Sequence, residues 1–226
     1  MTIAVAASTS YSPGLRQASV LQKAVLSYVQ APQDDDELNE HARNALNDAV
    51  DAINTRTWKK LHGHQDILLA ADQWDYELAS SFKDPLNCAR INTNGDQNGR
   101  LEYKPLKTFL VEHDQATGSG MPRWYTIFYD QLRVLSLDLA PSSEYISSFP
   151  TLRLRYHRRV PHLTGPDSIL GIPSEFESFV VWHAKAYIAA DRAPQMVGYA
   201  ENKAQQTFKR LKVDDANIQT DWDAVN

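Results

Sequence analysis

The chain begins with segments in which apolar residues recur every three or four positions. In a helix this spacing places the apolar side chains on one face. Ser12-Pro13 is a favourable helix start, because serine can cap the first turn and proline loses no needed N–H there. Pro32 must end this helix, and the acidic residues 34–37 suit the positive end of a second one. The two predicted apolar faces consist of Leu15, Ala18, Leu21, Val25 and Tyr28, and of Leu38, Ala42, Ala45, Ala49 and Ile53.

Two further amphipathic helices are predicted between residues 174 and 213. Ser174 and Glu177 have the spacing of a capping box, in which each side chain satisfies a backbone N–H group at the helix start. Pro194 separates the two helices. Their predicted apolar faces consist of Phe176, Phe179, Val180, His183, Ala184 and Tyr187, and of Met196, Ala200, Ala204, Phe208 and Leu211. From Asp214 onwards the periodicity is lost, which predicts an extended tail.

Between the two pairs of helices the period changes to two residues, which is typical of β-strands. Residues 92–99 are rich in Asn and Gly and predict the tip of a hairpin. The predicted strands lie near residues 67–71, 74–78, 124–129, 132–139 and 151–160.

Helices at both ends with strands between them predict an α+β fold. We expect a helical bundle formed by the N- and C-terminal helices, with an inserted antiparallel β-rich subdomain. The expected divisions are the N-terminal helices of the bundle (1–62), the inserted subdomain (63–165), the C-terminal helices (166–213) and the tail (214–226).

Composition narrows the class of protein. With 226 residues, 42% hydrophobic and 23% charged, the chain has ordinary globular usage and enough length for one core with an insertion. The net charge of −5 disfavours a protein that grips nucleic acid through its phosphates. Cys88 is the single cysteine and can form no internal disulfide. Without a signal-like start or an apolar run of about 20 residues, we expect synthesis in a cytoplasm and no membrane partner.

Two short motifs resemble metal sites. His62, His64 and Asp66 have the His-x-His-x-Asp spacing of some binuclear hydrolases, in which a metal-bound water is the nucleophile. Ile67 stands where a further histidine would follow, so a polar connection is favoured and a metal-dependent hydrolase is the alternative. Residues 94–101 resemble half of a calcium loop, but Pro105 replaces its last glutamate, so a hairpin tip is favoured.

The last predicted strand carries basic residues at alternate positions. One face has Leu152, Leu154 and Tyr156, and the other has Arg153, Arg155, His157 and Arg159. The basic face could contact an acidic partner or passing DNA, as in a stand-alone soluble binding module. The favoured interpretation is a solvated face paired with acids on neighbouring strands. No catalytic constellation is recognisable in the sequence, so we expect no enzyme, no catalytic or metal residue and no cofactor.

The order of several motifs resembles a known family. The motifs are Tyr125-x-Ile127, Leu135-x-Leu137 with Pro141, the aromatic-basic strand leading to Pro161-x-Leu163-Thr164, and Ile172-Pro173 before a long helix. This order resembles the head-to-tail adaptor (connector) proteins of tailed bacteriophages, including the tail-tubular-protein-A-like group. The resemblance covers about residues 74–213.

This resemblance implies a structural virion protein at the neck of the particle, made in the host cytoplasm. It would form a ring of about twelve copies between the portal and the tail or nozzle protein, with genomic DNA passing through its lumen. The negative net charge fits, because strong phosphate binding would slow ejection. The resemblance also implies a C-terminal segment that extends onto the portal, and Trp222 fits such an anchor. The predicted partner-contacting residues are therefore Trp222, Arg153, Arg155 and Arg159.

Overall fold

A computed structural model describes residues 16–113, 118–129 and 132–218. These residues form two compact units. The β-rich unit contains the described part of 62–158, and the helical unit contains the described parts of 11–61 and 159–226. Helices occur together with a large mixed sheet, so the predicted α+β class is confirmed.

The described residues contain six α-helices. These are α1 (Ala18–Leu26), α2 (Asp36–Asn54), α3 (Leu106–His113), α4 (Ser143–Ser148), α5 (Ser174–Arg192) and α6 (Val197–Ala216). The helices α1, α2, α5 and α6 belong to the helical unit, and α3 and α4 belong to the β-rich unit. No helix of the described chain combines the length and the apolar character needed to cross a membrane.

The helix α2 forms as its sequence predicts. The Asp35 carboxylate accepts a hydrogen bond from the Leu38 N–H at 3.1 Å, and Asp36 and Glu37 follow in the first turn. Carboxylates at this position satisfy free N–H groups and oppose the positive end of the helix dipole. All five residues of the predicted apolar face are buried. The acidic run therefore has a structural role at the start of the helix.

The core of the helical unit surrounds Trp58, which is 1% exposed. Its indole N–H donates to the Ile53 carbonyl oxygen at 2.9 Å. Its ring meets Phe176 and Phe208 edge-on, with centroid distances of 5.0 and 5.6 Å. Such edge-to-face pairs add to the apolar burial of large rings. Trp58 thus joins the end of α2 to α5 and α6.

Three details of the predicted helices are different in the structure. The helix α5 has Pro173 at its N-cap and Ser174 as its first residue, without a side-chain cap, so the predicted capping box is wrong. Ser174 has already entered the helix and cannot act from the cap position. Tyr187, predicted to be buried, is 46% exposed, and Tyr28 is only half-buried. The start predicted at Ser12-Pro13 lies outside the described residues.

The β-rich unit contains nine strands within its described residues. These are β1 (His62–Leu68), β2 (Asp75–Glu77), β3 (Phe82–Ile91), β4 (Gln97–Tyr103), β5 (Ser119–Gly120), β6 (Trp124–Tyr129), β7 (Arg133–Leu137), β8 (Ala140–Pro141) and β9 (Thr151–Arg158). Seven of them form one sheet in the order β1-β9-β3-β4-β6-β7-β2, and β5 pairs with β8.

The predicted hairpin tip at residues 92–99 is confirmed between β3 and β4. The Asn92 side-chain oxygen accepts hydrogen bonds from the N–H groups of Asn94 and Asp96, at 3.0 and 2.8 Å. Gly95 has φ +86°, a left-handed conformation that glycine adopts without steric cost. The Asn and Gly residues therefore shape a turn.

The prediction of a purely antiparallel sheet is wrong at two pairings. The strands β4 and β6 pair in parallel, as do β5 and β8. Parallel strands need a crossover of about a dozen or more residues, and residues 104–123, which include α3, provide one between β4 and β6. The residue pattern predicts no helix in this connection, so the crossover was not expected.

Candidate interaction surfaces

The strand β9 lies between β1 and β3 in the sheet. Leu152, Leu154 and Tyr156 are buried, as their alternation predicts. Arg153 and Arg155 point to the other face and are half-buried. The basic face of β9 is therefore partly covered by its neighbours and is not a fully solvated stripe.

Arg153 forms an ion pair with Asp66, which lies directly opposite it on β1. The guanidinium Nε donates to Oδ1 at 2.7 Å, and Nη2 donates to Oδ2 at 2.8 Å. These hydrogen bonds hold the pKa of the Asp66 carboxyl below its ordinary value, against the opposing effect of burial. A bidentate arginine–carboxylate pair is strongly directional and fixes the register of two strands. This pair matches the favoured interpretation of the basic face.

The same geometry bears on the alternative of a metal-dependent hydrolase. His62, His64 and Asp66 occupy alternate positions of β1 and so share one face of the strand. Both carboxylate oxygens of Asp66, however, already accept hydrogen bonds from a cation, which would repel a metal ion. Within the ranges that the structure describes, no group of three His, Cys, Asp or Glu side chains is arranged to hold a metal. Asp66 therefore belongs to an inter-strand ion pair and not to a metal centre with His62 and His64. The favoured interpretation as a polar connection is wrong, because all three residues lie in the strand β1.

The other predicted interface residues differ in their placement. Arg155 lies opposite His64 on β1 and Asn87 on β3, and its pKa is lowered by burial and by the nearby charges of Arg153 and Arg100. Arg159 is exposed and follows the end of β9, so the strand alternation does not include it. Trp222 lies outside the described residues. The structure thus brings Arg153 and Arg155 together on one face but does not place Arg159 on that face.

A second set of contacts was not predicted from the sequence. The Asn54 side chain donates to the Val160 carbonyl oxygen at 2.9 Å and accepts from the Val160 N–H at 2.9 Å. Asn47 makes the same pair of bonds to the backbone of Leu163, at 3.1 and 2.8 Å. The two asparagines lie seven positions apart, nearly two helical turns, and so share one face of α2. No local signal in the sequence connects them with residues 160–163. We call these contacts the asparagine clamps.

The asparagine clamps explain one of the sequence motifs. They hold the segment 160–163, which contains the start of Pro161-x-Leu163-Thr164, along α2. Between them, the His162 ring nitrogen Nε2 lies 2.8 Å from the Asp51 carboxylate. The chain leaves β9 just before this segment and then begins α5. The motif therefore lies in the segment that connects β9 to α5 of the helical unit.

A third cluster lies on the surface of the helical unit. It consists of Tyr28, Trp182, Lys185, Tyr199 and Lys203, which we call the aromatic–lysine patch. The Trp182 ring meets Tyr28 and Tyr199 edge-on, with centroid distances of 5.7 Å in each case. Trp182 and Tyr28 are half-buried, and Tyr199 is 57% exposed. The sequence analysis singled out only Tyr28, because the apolar periodicity gives no signal for Trp182 and Tyr199.

Comparison with known proteins identifies the family. A model of the SU10 adaptor protein family matches residues 16–224. The chain belongs to the SU10 adaptor protein family. This is a family of phage head-to-tail adaptors, and it confirms the resemblance inferred from the motif order. No curated protein matches the chain.

The SU10 adaptor match includes both units and the asparagine clamps. Membership identifies the chain as a bacteriophage structural head-tail adaptor. Membership of this family implies that the chain interacts with phage portal and tail components. It also implies a location at the neck of the virion. The family is structural, which is the class expected from the absence of a recognisable catalytic constellation in the sequence.

Proposed function

We propose that this chain is the subunit of a ring of about twelve copies that joins the portal to the tail, with the genome passing through its lumen. The observation that carries the proposal is the SU10 adaptor match over residues 16–224, which covers all of the described residues. Synthesis in the host cytoplasm and assembly into the virion neck belong to the same proposal.

The mechanism is one of interface geometry. Identical subunits form a ring when one surface of each binds a different surface of the next and the rotation between them closes. We propose that the helical unit is a bundle of the N- and C-terminal helices and that the β-rich unit is inserted into it. The expected division at residue 62 is kept in this proposal. The divisions expected at 165 and 213 are moved, because the helical unit resumes at residue 159 and α6 continues to Ala216.

Electrostatics favour a lumen that lets DNA pass. The net charge is −5, and the charge of Arg153 is neutralised by Asp66. A protein with an excess of negative charge repels DNA phosphates, so it releases few counterions from DNA and binds it weakly. Genomic DNA is thus a passing partner without specific contacts in this proposal.

We keep Trp222, Arg153, Arg155 and Arg159 as the proposed partner-contacting residues. A single large aromatic in a polar tail can contribute much of the binding energy when it enters a pocket of a partner. Trp222 is accordingly the proposed anchor on the portal. Arg153 is held by Asp66, and Arg159 is the only one of the three proposed arginines that is exposed.

Disruption of the gene in the phage tests this proposal. We expect heads that contain DNA, or can still package it, but carry no attached tails, because the protein that joins the two parts is missing. Electron microscopy of lysates checks this outcome, and supply of the chain from a plasmid should restore tailed particles. Particles that carry normally attached tails in the absence of the chain would refute the proposed function.

A further inference from the structure

The aromatic–lysine patch has two ammonium groups placed over aromatic rings. The Lys185 Nζ lies 4.3 Å from the ring centroid of Trp182 and 5.3 Å from that of Tyr28. The Lys203 Nζ lies 5.6 Å from the centroid of Tyr199. Cation–π contacts of this kind hold a side chain in place and become stronger as water is excluded. The patch therefore places two cations against three aromatic rings.

Neither lysine has a carboxylate partner among the residues that the structure describes. The ion pairs of the helical unit involve other residues, for example Lys60 with Glu175 and Arg16 with Glu177. Burial lowers the pKa of Lys185 from its ordinary value, so its ammonium is already partly removed from water. A carboxylate brought to this position would meet a cation whose hydration is already reduced.

The composition of the patch is that of a protein-binding surface. Tryptophan and tyrosine are enriched where partners bind, because their rings are large, rigid and amphipathic. Tyr28 is further fixed by a hydrogen bond from its hydroxyl group to the Met196 carbonyl oxygen at 3.0 Å. The three rings come from the segment after α1, from α5 and from α6, so the packing of the helical unit presents them together.

We propose that the aromatic–lysine patch docks an acidic segment of a partner protein, one that presents carboxylates beside an apolar side chain. The carboxylates would pair with Lys185 and Lys203, and the apolar side chain would pack against Trp182 and Tyr199. This inference rests on the proposed function, which supplies two candidate owners of the segment, the portal and the tail protein.

A second copy of the chain fits the patch less well. The densest run of acidic residues is 34–37, which begins six residues after Tyr28. Six residues of extended chain span at most about 21 Å. The next turn of α2 carries His41, whose ring lies 5.7 Å from that of Tyr187 on α5. A patch and an acidic run this close together on one subunit allow two copies to pair reciprocally, each patch with the acidic run of the other copy. Such a contact closes as a dimer and cannot propagate around a ring.

The test compares two charge-reversed variants of the full chain. In the first, Lys185→Glu is combined with Lys203→Glu in the patch. In the control, Lys107→Glu is combined with Lys209→Glu, two exposed lysines outside the patch. Both variants have the same net charge, and far-UV circular dichroism checks that each one folds. Binding to purified portal and to purified tail protein is measured separately by biolayer interferometry, and self-association by analytical ultracentrifugation.

We expect the patch variant to bind one of the two partners at least about tenfold more weakly, with the control close to the unmodified chain. The neutral variant Tyr199→Ala should also weaken that binding, and its affinity should keep the salt dependence of the unmodified chain. Unchanged binding of the patch variant to both partners would overturn the inference. Loss of self-association with both partners still bound would also overturn it, since the occupant would then be a second copy. An unmodified chain that binds neither partner would contradict the proposed function itself, and the patch inference with it.

Discussion

Replacement of Trp58 with alanine should lower the free energy of unfolding of the helical unit by about 3–5 kcal/mol. The side chain is 1% exposed and touches the rings of Phe176 and Phe208. Its removal would lose the transfer free energy of a large ring and leave a cavity that the surrounding helices cannot fill. The Ile53 carbonyl oxygen would also lose the indole N–H as its donor.

Urea unfolding of the isolated chain, followed by circular dichroism at 222 nm, measures this effect. Trp58→Phe is the matched control, because it keeps an aromatic ring and removes the N–H group and part of the volume. It should cost about 1–2 kcal/mol, from the lost hydrogen bond and a smaller cavity. A loss below about 1 kcal/mol for Trp58→Ala would contradict a helical core centred on this residue.

Loss of the asparagine clamp at residue 54 should have the second-largest effect. In Asn54→Ala, the buried N–H and carbonyl groups of Val160 lose both of their side-chain partners. Each unsatisfied backbone group costs roughly 1–3 kcal/mol, and partial entry of water offsets some of this, so we expect a loss of about 2–4 kcal/mol. The return of the chain to the helical unit after β9 should also become less ordered.

Asn39→Ala on the same helix is the control for this prediction. Asn39 donates to the Gln33 carbonyl oxygen at 3.0 Å in an exposed position, where water can replace it. Its loss should therefore cost within about 0.5 kcal/mol. Hydrogen exchange measured by mass spectrometry should show faster exchange at residues 160–163 in Asn54→Ala only. If the two variants were equally stable, the hydrogen bonds between Asn54 and Val160 would contribute no more to the free energy of unfolding than an exposed hydrogen bond does.

Local periodicity was sufficient to predict the helices α1, α2, α5 and α6 and the strands β2, β6, β7 and β9. It placed the first strand at residues 67–71, whereas β1 is His62–Leu68, and it missed α3 and α4. The apolar face of α2, the limits of β6 and the hairpin tip at Gly95 depend on residues close together in sequence, so the pattern alone reveals them. The parallel pairing of β4 with β6 was missed, because it depends on how a crossover containing α3 packs. The capping box at Ser174 was wrongly predicted for a local reason. A shift of one residue in the helix start moves Ser174 from the N-cap position into the first turn.

The candidate surfaces were harder to predict, because their contacts join distant residues. The sequence placed Arg153 on a basic face, and only the strand register shows that Asp66 neutralises it. Asn54 and Val160 are 106 positions apart, so no local signal connects them. The aromatic–lysine patch assembles residues from three segments whose order in the chain says nothing about their proximity. The order of the motifs nevertheless indicated the family, because the motifs are spread along much of the chain and do not belong to one site.

The central claim is that copies of this chain assemble on the portal as a ring. Mass photometry of the full chain alone and mixed with purified portal tests it most directly. The chain alone should be mostly monomeric, because a heterologous contact between two copies leaves their other contact surfaces unpaired and is weak before the ring closes. With portal, each particle should gain one fixed mass that is a whole multiple of 25.5 kDa, at about twelve subunits for the proposed ring. Portal particles that gain no mass, with the chain still monomeric at every ratio, would contradict the account.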